Sequence, residues 1–181
     1  MSETHIAFDQ AIGLQTEATI IDWFNEYDVV NPHESTPELR FRLYTLLRSV
    51  PRLVCAPDAA FLLSARGHAK VFYLEEDRAT SGVQQIAATK TQGYAVLAEV
   101  SGHRRHFPQA TVDKFTVLMV APNSRRRDAL RKALREKPGA NLWRFASAEE
   151  MQPQRLLHEP IWYPCEGEPA PLIKPEVLAC P

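Results

Sequence analysis

The chain has 181 residues, of which 45% are hydrophobic, and its formal net charge is −1 at neutral pH. This length fits one compact domain with a buried core, and no apolar run approaches the roughly 20 residues that a membrane-spanning helix needs. The first ten residues, MSETHIAFDQ, lack the basic and apolar segments of a secretory signal. The three cysteines, Cys55, Cys165 and Cys180, match neither a disulfide framework nor a zinc spacing. These features predict a soluble, cytoplasmic protein with reduced thiols.

Two helical stretches are predicted before the first strands. Residues 8–27 carry apolar side chains mostly at helical spacing, which predicts a first helix. Pro32 interrupts this stretch, and Pro37 begins a second, short helical segment, ELRFRLYTLLR (residues 38–48), which Pro51 closes.

A β-hairpin is predicted next. The apolar runs DAAFLL and KVFYLEE flank the polar turn SARGHA, in which Gly67 can adopt the positive φ of a tight turn. Asp58 directly follows a proline at the head of the first strand, and Glu75 and Asp77 end the second strand. The hairpin therefore begins and ends with carboxylates.

A helix over residues 83–97 is predicted after the hairpin. Thr80-Ser81 can cap its N-terminus, and Lys90 shares a face with apolar residues such as Tyr94. Lys90 is therefore expected to turn toward the sheet.

The second half of the chain alternates strand and helix. The uninterrupted apolar run KFTVLMVAP predicts a central, parallel strand. NSRRRDALRKALREKPG predicts a helix that begins at Asn123 or Ser124 and ends at Gly139, with its leucines facing inward and its arginines outward. NLWRFAS predicts another short strand.

The order of these elements predicts an α/β fold. A hairpin plus parallel strands would form a mixed central sheet flanked by helices. Residues 1–150 are predicted to form this domain, and residues 151–181 a proline-rich extension packed on it as irregular chain, with Trp162 buried.

The carboxylates at the hairpin ends predict a metal site. Antiparallel pairing makes Asp58 and Glu75 neighbours, and the strand pleat sends Glu75 and Asp77 to one side and Glu76 to the other. Converging carboxylates repel each other unless a cation lies among them, and a few oxygen ligands suit Mg²⁺ or Mn²⁺. Such an ion can activate water beside a phosphodiester, and Lys90 would add a fixed positive charge. Alternatively, these acids are solvated strand-end charges that discourage aggregation.

Basic residues cluster in one segment. Residues 103–137 hold ten Lys/Arg and three Asp/Glu, whereas the rest of the chain is acidic. A basic block beside an acidic one suits a polyanion held near a metal site, although a solvated helix face would carry the same charges. The residues predicted to contact a nucleic-acid backbone are Arg104, Arg105, Arg125, Arg126 and Arg127.

Several of these residues stand in the order of a known motif set. The matching positions are His5 with Asp9, Trp23 with Glu26, Pro57-Asp58, FYLEEDRAT over residues 72–80, and Lys90 with Tyr94. The chain thereby resembles the replication-relaxation family of plasmid and mobile-element proteins, within the PD-(D/E)xK nuclease superfamily. The resemblance covers residues 5–97 and extends more loosely to about Trp143.

The resemblance implies a restriction-endonuclease-like fold in which Asp58 and Glu75 bind Mg²⁺ or Mn²⁺. Lys90 would be a catalytic lysine relocated to the neighbouring helix, because Asp77 occupies the position where the superfamily pattern usually has lysine. His5 and Glu26 match family positions to which no chemistry is assigned. Family members often carry a preceding winged-helix domain, so sequence-specific docking of this chain would need a partner or the basic segment.

Two functions are predicted from these features. The first is a metal-dependent DNA endonuclease or nickase of a plasmid or mobile element, acting in replication-relaxation or mobilisation. In it, Asp58, Glu75 and Asp77 hold the ion and Lys90 steadies the scissile phosphate. The second is a catalytically inactive module of the same fold that binds DNA or a replication or mobilisation protein. A third hypothesis is an unrelated α/β protein whose acids are ordinary strand-end charges.

Overall fold

The computed structural model describes residues 2–175, which form a mixed α/β fold. Its helices and strands, numbered in chain order, are α1 Glu3–Gly13, β1 Ala18–Asn25, α2 Pro37–Arg40, β2 Thr45–Arg48, β3 Leu53–Cys55, β4 Ala59–Ala65, β5 His68–Glu76, α3 Val83–Glu99, α4 His103–His106, β6 Thr116–Ala121, α5 Ser124–Leu134, β7 Trp143–Ser147 and β8 Tyr163–Pro164. Two short 3₁₀ helices flank β7. No helix in this part of the chain combines the length and the apolar character needed to cross a bilayer.

Six strands pair into one sheet in the order β1-β4-β5-β6-β7-β8. β1, β4 and β5 pair antiparallel, β5, β6 and β7 pair parallel, and β8 is antiparallel to β7. β2 and β3 form a separate two-stranded sheet. The predicted mixed sheet, with a hairpin joined to parallel strands, is therefore confirmed.

The β4–β5 hairpin is closed by a two-residue turn. Its central residues, Arg66 and Gly67, have φ values of 51° and 76°. Two successive positive φ values match the right-handed twist of the flanking strands. The turn predicted around Gly67 is confirmed. It fixes the register of the hairpin, which places Asp58, just before β4, beside the end of β5.

Each face of the sheet carries an apolar layer. On one face Tyr73 packs with buried residues of α3 and α5, and on the other Phe72 and Leu74 pack with buried residues of α1 and of the C-terminal segment. Side chains alternate along a strand, so Glu75 lies on the α3 face. This alternation positions the candidate site.

The helix predicted over residues 8–27 is wrong in its second half. α1 ends at Gly13, and residues 18–25 form β1 at the sheet edge, antiparallel to β4. The Gln15 side chain hydrogen-bonds both the amide and the carbonyl of Ala18, and these bonds close the turn between α1 and β1. β-branched and aromatic residues gain more from cross-strand packing than from a second helix, and Trp23 pairs with Phe61 of β4.

Three other boundaries differ from the prediction. Only Pro37–Arg40 of the second stretch is helical, because residues 45–48 pair with β3. Gly82, rather than Thr80-Ser81, precedes α3. α5 ends at Leu134, and Gly139, with φ of 73°, begins the following 3₁₀ turn.

The C-terminal segment packs on the domain. Trp162 is fully buried, as predicted, and its indole nitrogen donates to the Leu156 carbonyl at 2.9 Å. Tyr163 begins β8, so this part of the extension is a strand rather than irregular chain. Cys55 and Cys165 are buried free thiols. Residues 176–181, which include Cys180, lie outside the described part of the chain.

Candidate functional site

An acidic cleft of about 710 Å³ opens where β5 ends and α3 begins. Its walls come from the turn after β1, the start of β4, the end of β5, the loop to α3 and the first turns of α3. Two basic residues, Arg78 and Lys90, line it. The acidic lining residues are Glu26, Asp28, Asp58, Glu75, Glu76 and Asp77.

Asp58 joins three segments at this cleft. It immediately precedes β4, and its carbonyl accepts the Glu26 amide at 2.9 Å. Its carboxylate Oδ2 accepts the Glu76 amide at 2.7 Å, which ties the head of β4 to the end of β5. Asp58 is thereby held beside Glu75, as the antiparallel register predicts.

Glu75 is a buried carboxylate of the cleft, with 4% of its side chain exposed. Its Oε2 lies 2.7 Å from Lys90 Nζ, and its Oε1 accepts the Tyr94 hydroxyl at 2.6 Å. Burial raises the pKa of Glu75 to about 7, against the lowering effect of the Lys90 charge. Glu75 is therefore a carboxylate whose charge depends on the groups of α3.

Lys90 is fixed by this contact. Its ammonium also donates to the Ala56 carbonyl at 3.4 Å, next to the Pro57-Asp58 step. Burial lowers the Lys90 pKa, but the neighbouring Glu75 carboxylate more than offsets this and raises the pKa above its ordinary value. The structure thus places Lys90 in contact with Glu75, on the helix face predicted to turn toward the sheet.

Asp77 is paired with Arg126, and its role as a third metal ligand beside Asp58 and Glu75 stays a prediction. Strand alternation places Asp77 on the same side as Glu75, the face of the sheet that α3 covers. Because α5 also packs on this face, its Arg126 forms an ion pair with Asp77. Arg126 Nε donates to Asp77 Oδ2 at 2.6 Å, and Asp77 Oδ1 accepts Arg126 Nη2 at 3.2 Å and the Ala79 amide at 2.9 Å. Within residues 2–175, no three His, Cys, Asp or Glu side chains are grouped to hold a metal ion.

The arginines of α5 do not all face outward, which corrects the predicted helix face. Arg126 is committed to Asp77 and to the Ser81 carbonyl. Arg127 is buried, pairs with Glu150 at 2.6 Å, and stacks on the Tyr163 ring at 3.9 Å. Arg125 is exposed in the first turn of the helix.

The other predicted nucleic-acid contacts lie on α4. Arg104 pairs with Asp113 and donates to the Ala110 carbonyl, and the following segment hydrogen-bonds Ala69 near the start of β5. The rise along β5 from Ala69 to Glu75, about 20 Å at roughly 3.3 Å per residue, separates that end of the strand from the cleft. Arg105 donates to the Glu38 carbonyl at 3.3 Å. Nucleic-acid contact by Arg104, Arg105 and Arg125 stays a prediction.

A stack of rings links α1 to the sheet beside the cleft. His5 lies flat on Trp23 with ring centroids 3.9 Å apart, Trp23 stacks on Phe61 at 4.9 Å, and Phe61 stacks on Phe72 at 5.3 Å. Glu26 follows Trp23 by three residues and lines the cleft. His5 therefore packs against Trp23, on the strand that precedes the cleft residue Glu26.

Two features of the site were not predicted from the sequence. The Asp77–Arg126 pair joins residues 49 positions apart, and no local pattern indicates it. Tyr27 lines the cleft, and the neighbouring Glu26 carboxylate raises the pKa of its phenol. The only sequence signal for Tyr27 is an aromatic residue between two acids in NEYD.

Replacing Arg126 with alanine is expected to lower the free energy of unfolding by about 1–2 kcal/mol, because it leaves a buried carboxylate, Asp77, without its charged partner. The neighbouring Arg125→Ala is the matched control and should change it by less than about 0.5 kcal/mol. Urea unfolding of both variants checks this. Equal effects would show that the Asp77–Arg126 pair contributes nothing to stability.

Glu75→Gln is expected to change how stability depends on pH. The Glu75 pKa is about 7 in the folded chain against an ordinary 4.5, so the folded state holds its proton more tightly. Wild-type unfolding free energy should therefore fall relative to the glutamine variant as pH rises from 4.5 to 7, by on the order of 3 kcal/mol. Buried His106, whose pKa is lowered to about 4, acts in the opposite direction but is common to both proteins. Urea unfolding across this pH range measures the difference, and parallel curves would contradict it.

No family model matches the chain, and neither a curated protein nor a solved structure matches it. The cleft itself holds two carboxylates at adjoining strand ends, with a lysine in contact with one of them.

Proposed function

We propose that the chain is a metal-dependent nuclease that hydrolyses or nicks phosphodiester bonds of DNA. The observation that carries the proposal is the contact of Lys90 with buried Glu75 at 2.7 Å, in the cleft that Asp58 also lines. Two strand-end acids and one lysine match what the PD-(D/E)xK resemblance leads one to expect of a restriction-endonuclease-like fold. We further propose that the chain belongs to the replication-relaxation family and acts on a plasmid or mobile element.

The residues of the cleft fit a divalent cation. Mg²⁺ needs only one or two carboxylates, because it keeps several of its waters. Asp58 uses Oδ2 for the Glu76 amide, and Oδ1 has no hydrogen-bond partner within residues 2–175. Asp58 and Glu75 would therefore hold the ion, and the surplus of acids around them favours a cation. Each oxygen of Glu75 has one partner and keeps a lone pair for the ion, whereas Asp77 accepts three hydrogen bonds and would stay bound to Arg126 and Ala79.

A bound Mg²⁺ or Mn²⁺ would polarise a phosphodiester and lower the pKa of a water molecule. Lys90 presents a positive charge fixed by Glu75 and the Ala56 carbonyl, where it can stabilise negative charge that develops on a phosphate. Tyr94 holds the second oxygen of Glu75, so the carboxylate orientation is set from α3. These side chains are already positioned in the absence of substrate, which is the basis of electrostatic preorganisation.

Nicking of negatively supercoiled plasmid, in which supercoiling favours local opening of the duplex, tests the proposal in Mg²⁺ or Mn²⁺. The wild-type chain should convert supercoiled to open-circular DNA, and Asp58→Ala and Lys90→Met should each lower the rate by on the order of 100-fold or more. Glu99→Gln, at an exposed acid at the end of α3, is the control and should retain the rate. Nicking that survives in Asp58→Ala would refute the proposed site.

The second candidate is a catalytically inactive module that binds DNA or a replication or mobilisation protein. One observation favours it: both oxygens of Glu75 are already engaged by Lys90 and Tyr94. A wild-type chain that nicks with neither ion, yet shifts DNA in a salt-sensitive manner, would support this function and refute cleavage.

A further inference from the structure

Tyr27 leaves a large aromatic ring in solvent at the cleft. Its exposed fraction is 69%, and it is the one aromatic residue among the exposed large hydrophobic residues of the described chain. Val29 and Val30, on the same loop, are also exposed. Aromatic rings supply much of the contact energy at binding surfaces, so an exposed ring at the rim of a polar cleft is a candidate contact for a ligand.

Hydrogen bonds, a β-bridge and a ring contact hold the loop that carries Tyr27. The Asp28 carboxylate accepts the Asn25 amide at 2.8 Å, and the Asn25 carbonyl accepts the Asp28 amide at 3.1 Å, which closes a tight turn. Val29 forms a β-bridge with Phe41, and the Phe41 ring meets the Tyr27 ring at 5.7 Å with planes 78° apart. A side chain fixed in this way loses little entropy when a partner binds.

This turn also fixes Tyr27 relative to the acids. The residue before it, Glu26, donates its amide to the Asp58 carbonyl. The neighbouring Glu26 carboxylate raises the pKa of the Tyr27 phenol. The exposed ring and the proposed cation ligand Asp58 therefore belong to one rigid unit.

The charges around the cleft do not suit a long duplex. Proteins that hold duplex DNA neutralise many phosphates with Lys and Arg, whereas only Arg78 and Lys90 line this cleft beside six acids. Arg126 is paired internally, and Arg104 lies near the other end of β5. Affinity must therefore come from something other than phosphate contacts.

Stacking supplies such affinity for single strands. Every base offers a π-face to an aromatic side chain, whereas bases in a duplex are already paired and stacked. We infer that Tyr27 is a stacking platform for an unpaired nucleobase, and that the cleft takes single-stranded rather than duplex nucleic acid. This inference rests on the proposed function, because it places the phosphodiester in the acidic cleft.

Fluorescence anisotropy with a labelled single-stranded oligonucleotide of about 12 nucleotides, in EDTA so that no cleavage occurs, tests the inference. Tyr27→Ala should weaken binding about 5- to 150-fold, whereas Tyr27→Phe, which keeps the ring and loses the phenol, should stay within about 2-fold of wild type. Val50→Ala, at an exposed apolar residue, is the control and should bind like wild type. The matching duplex should bind more weakly than the single strand. Superimposable denaturation curves would show that the variants are folded.

A 2-aminopurine base in the oligonucleotide provides a second readout, because stacking on an aromatic ring changes its fluorescence. The change should occur with wild type and Tyr27→Phe and disappear with Tyr27→Ala. Equal binding by Tyr27→Ala and wild type, equal affinity for duplex and single strand, or no binding at all would overturn the inference. Stacking-dependent binding without cleavage in Mg²⁺ or Mn²⁺ would instead refute the proposed nuclease and uphold the platform. Cleavage by wild type, together with unchanged single-strand binding by Tyr27→Ala, would refute the stacking platform and leave the proposed nuclease standing.

Discussion

Replacing Glu75 with alanine is expected to lower the free energy of unfolding by about 2–4 kcal/mol. The substitution removes the acceptor of the Tyr94 hydroxyl, which is buried and would be left without a partner. It also leaves the Lys90 ammonium with only the longer contact to the Ala56 carbonyl. The cost stays below that of a fully enclosed ion pair, because Lys90 is about one-third exposed and can turn toward water. Burial of the Glu75 charge is itself unfavourable, as its raised pKa shows, and this offsets part of the loss.

Urea unfolding at constant pH measures this effect, and two further variants make it specific. Glu99→Ala removes an exposed acid from the last turn of α3 and should change stability by less than about 0.5 kcal/mol. Tyr94→Phe keeps the buried ring and removes only the hydroxyl, so it should cost about 1 kcal/mol. If Glu75→Ala is no more destabilising than Glu99→Ala, the buried Glu75–Lys90–Tyr94 cluster does not stabilise the fold.

Trp23→Ala is expected to cost about 2–4 kcal/mol, because it removes the ring on which His5 stacks and which itself stacks on Phe61. α1 would lose its main aromatic contact with the edge strand. The change also acts on the cleft, since Glu26 lies three residues further on and its amide bonds the Asp58 carbonyl. Plasmid nicking by the variant should therefore fall together with its stability.

Trp23→Phe is the conservative partner of this variant and should lose less than about 1.5 kcal/mol, because a smaller ring preserves part of the stack. Leu14→Ala, at an exposed residue just after α1, serves as the control. Unfolding curves and nicking rates of the three variants provide the comparison. A Trp23→Ala protein as stable as Leu14→Ala would contradict the role of the ring stack.

The parts of the fold that could be predicted depend on local patterns. Gly67 between two apolar runs predicts a hairpin, because few other residues adopt the required φ. The uninterrupted apolar run over β6 predicts a strand buried on both faces, and residues 116–121 are all buried. Antiparallel register then follows from the hairpin, and so does the proximity of Asp58 and Glu75.

The parts that could not be predicted depend on partners far away in the chain. Residues 18–25 have apolar spacing compatible with a helix, and their pairing with β4, far away in the chain, makes them a strand. Arg126 has the same charge whether it faces solvent or a carboxylate 49 residues away. Composition therefore indicated a basic surface, whereas folding commits Arg126 and Arg127 to internal ion pairs.

Calorimetric titration of the chain with Mn²⁺ at neutral pH tests the central claim most directly, because it measures the cation site without requiring a substrate. Wild type should bind one Mn²⁺, Asp58→Asn and Glu75→Gln should each lose that binding, and Asp77→Asn should retain it, since Asp77 serves Arg126 rather than the ion. The asparagine at position 58 can still accept the Glu76 amide, so a loss of binding would report the missing charge. Absence of Mn²⁺ binding by wild type, or binding that Asp58→Asn leaves unchanged, would contradict the site.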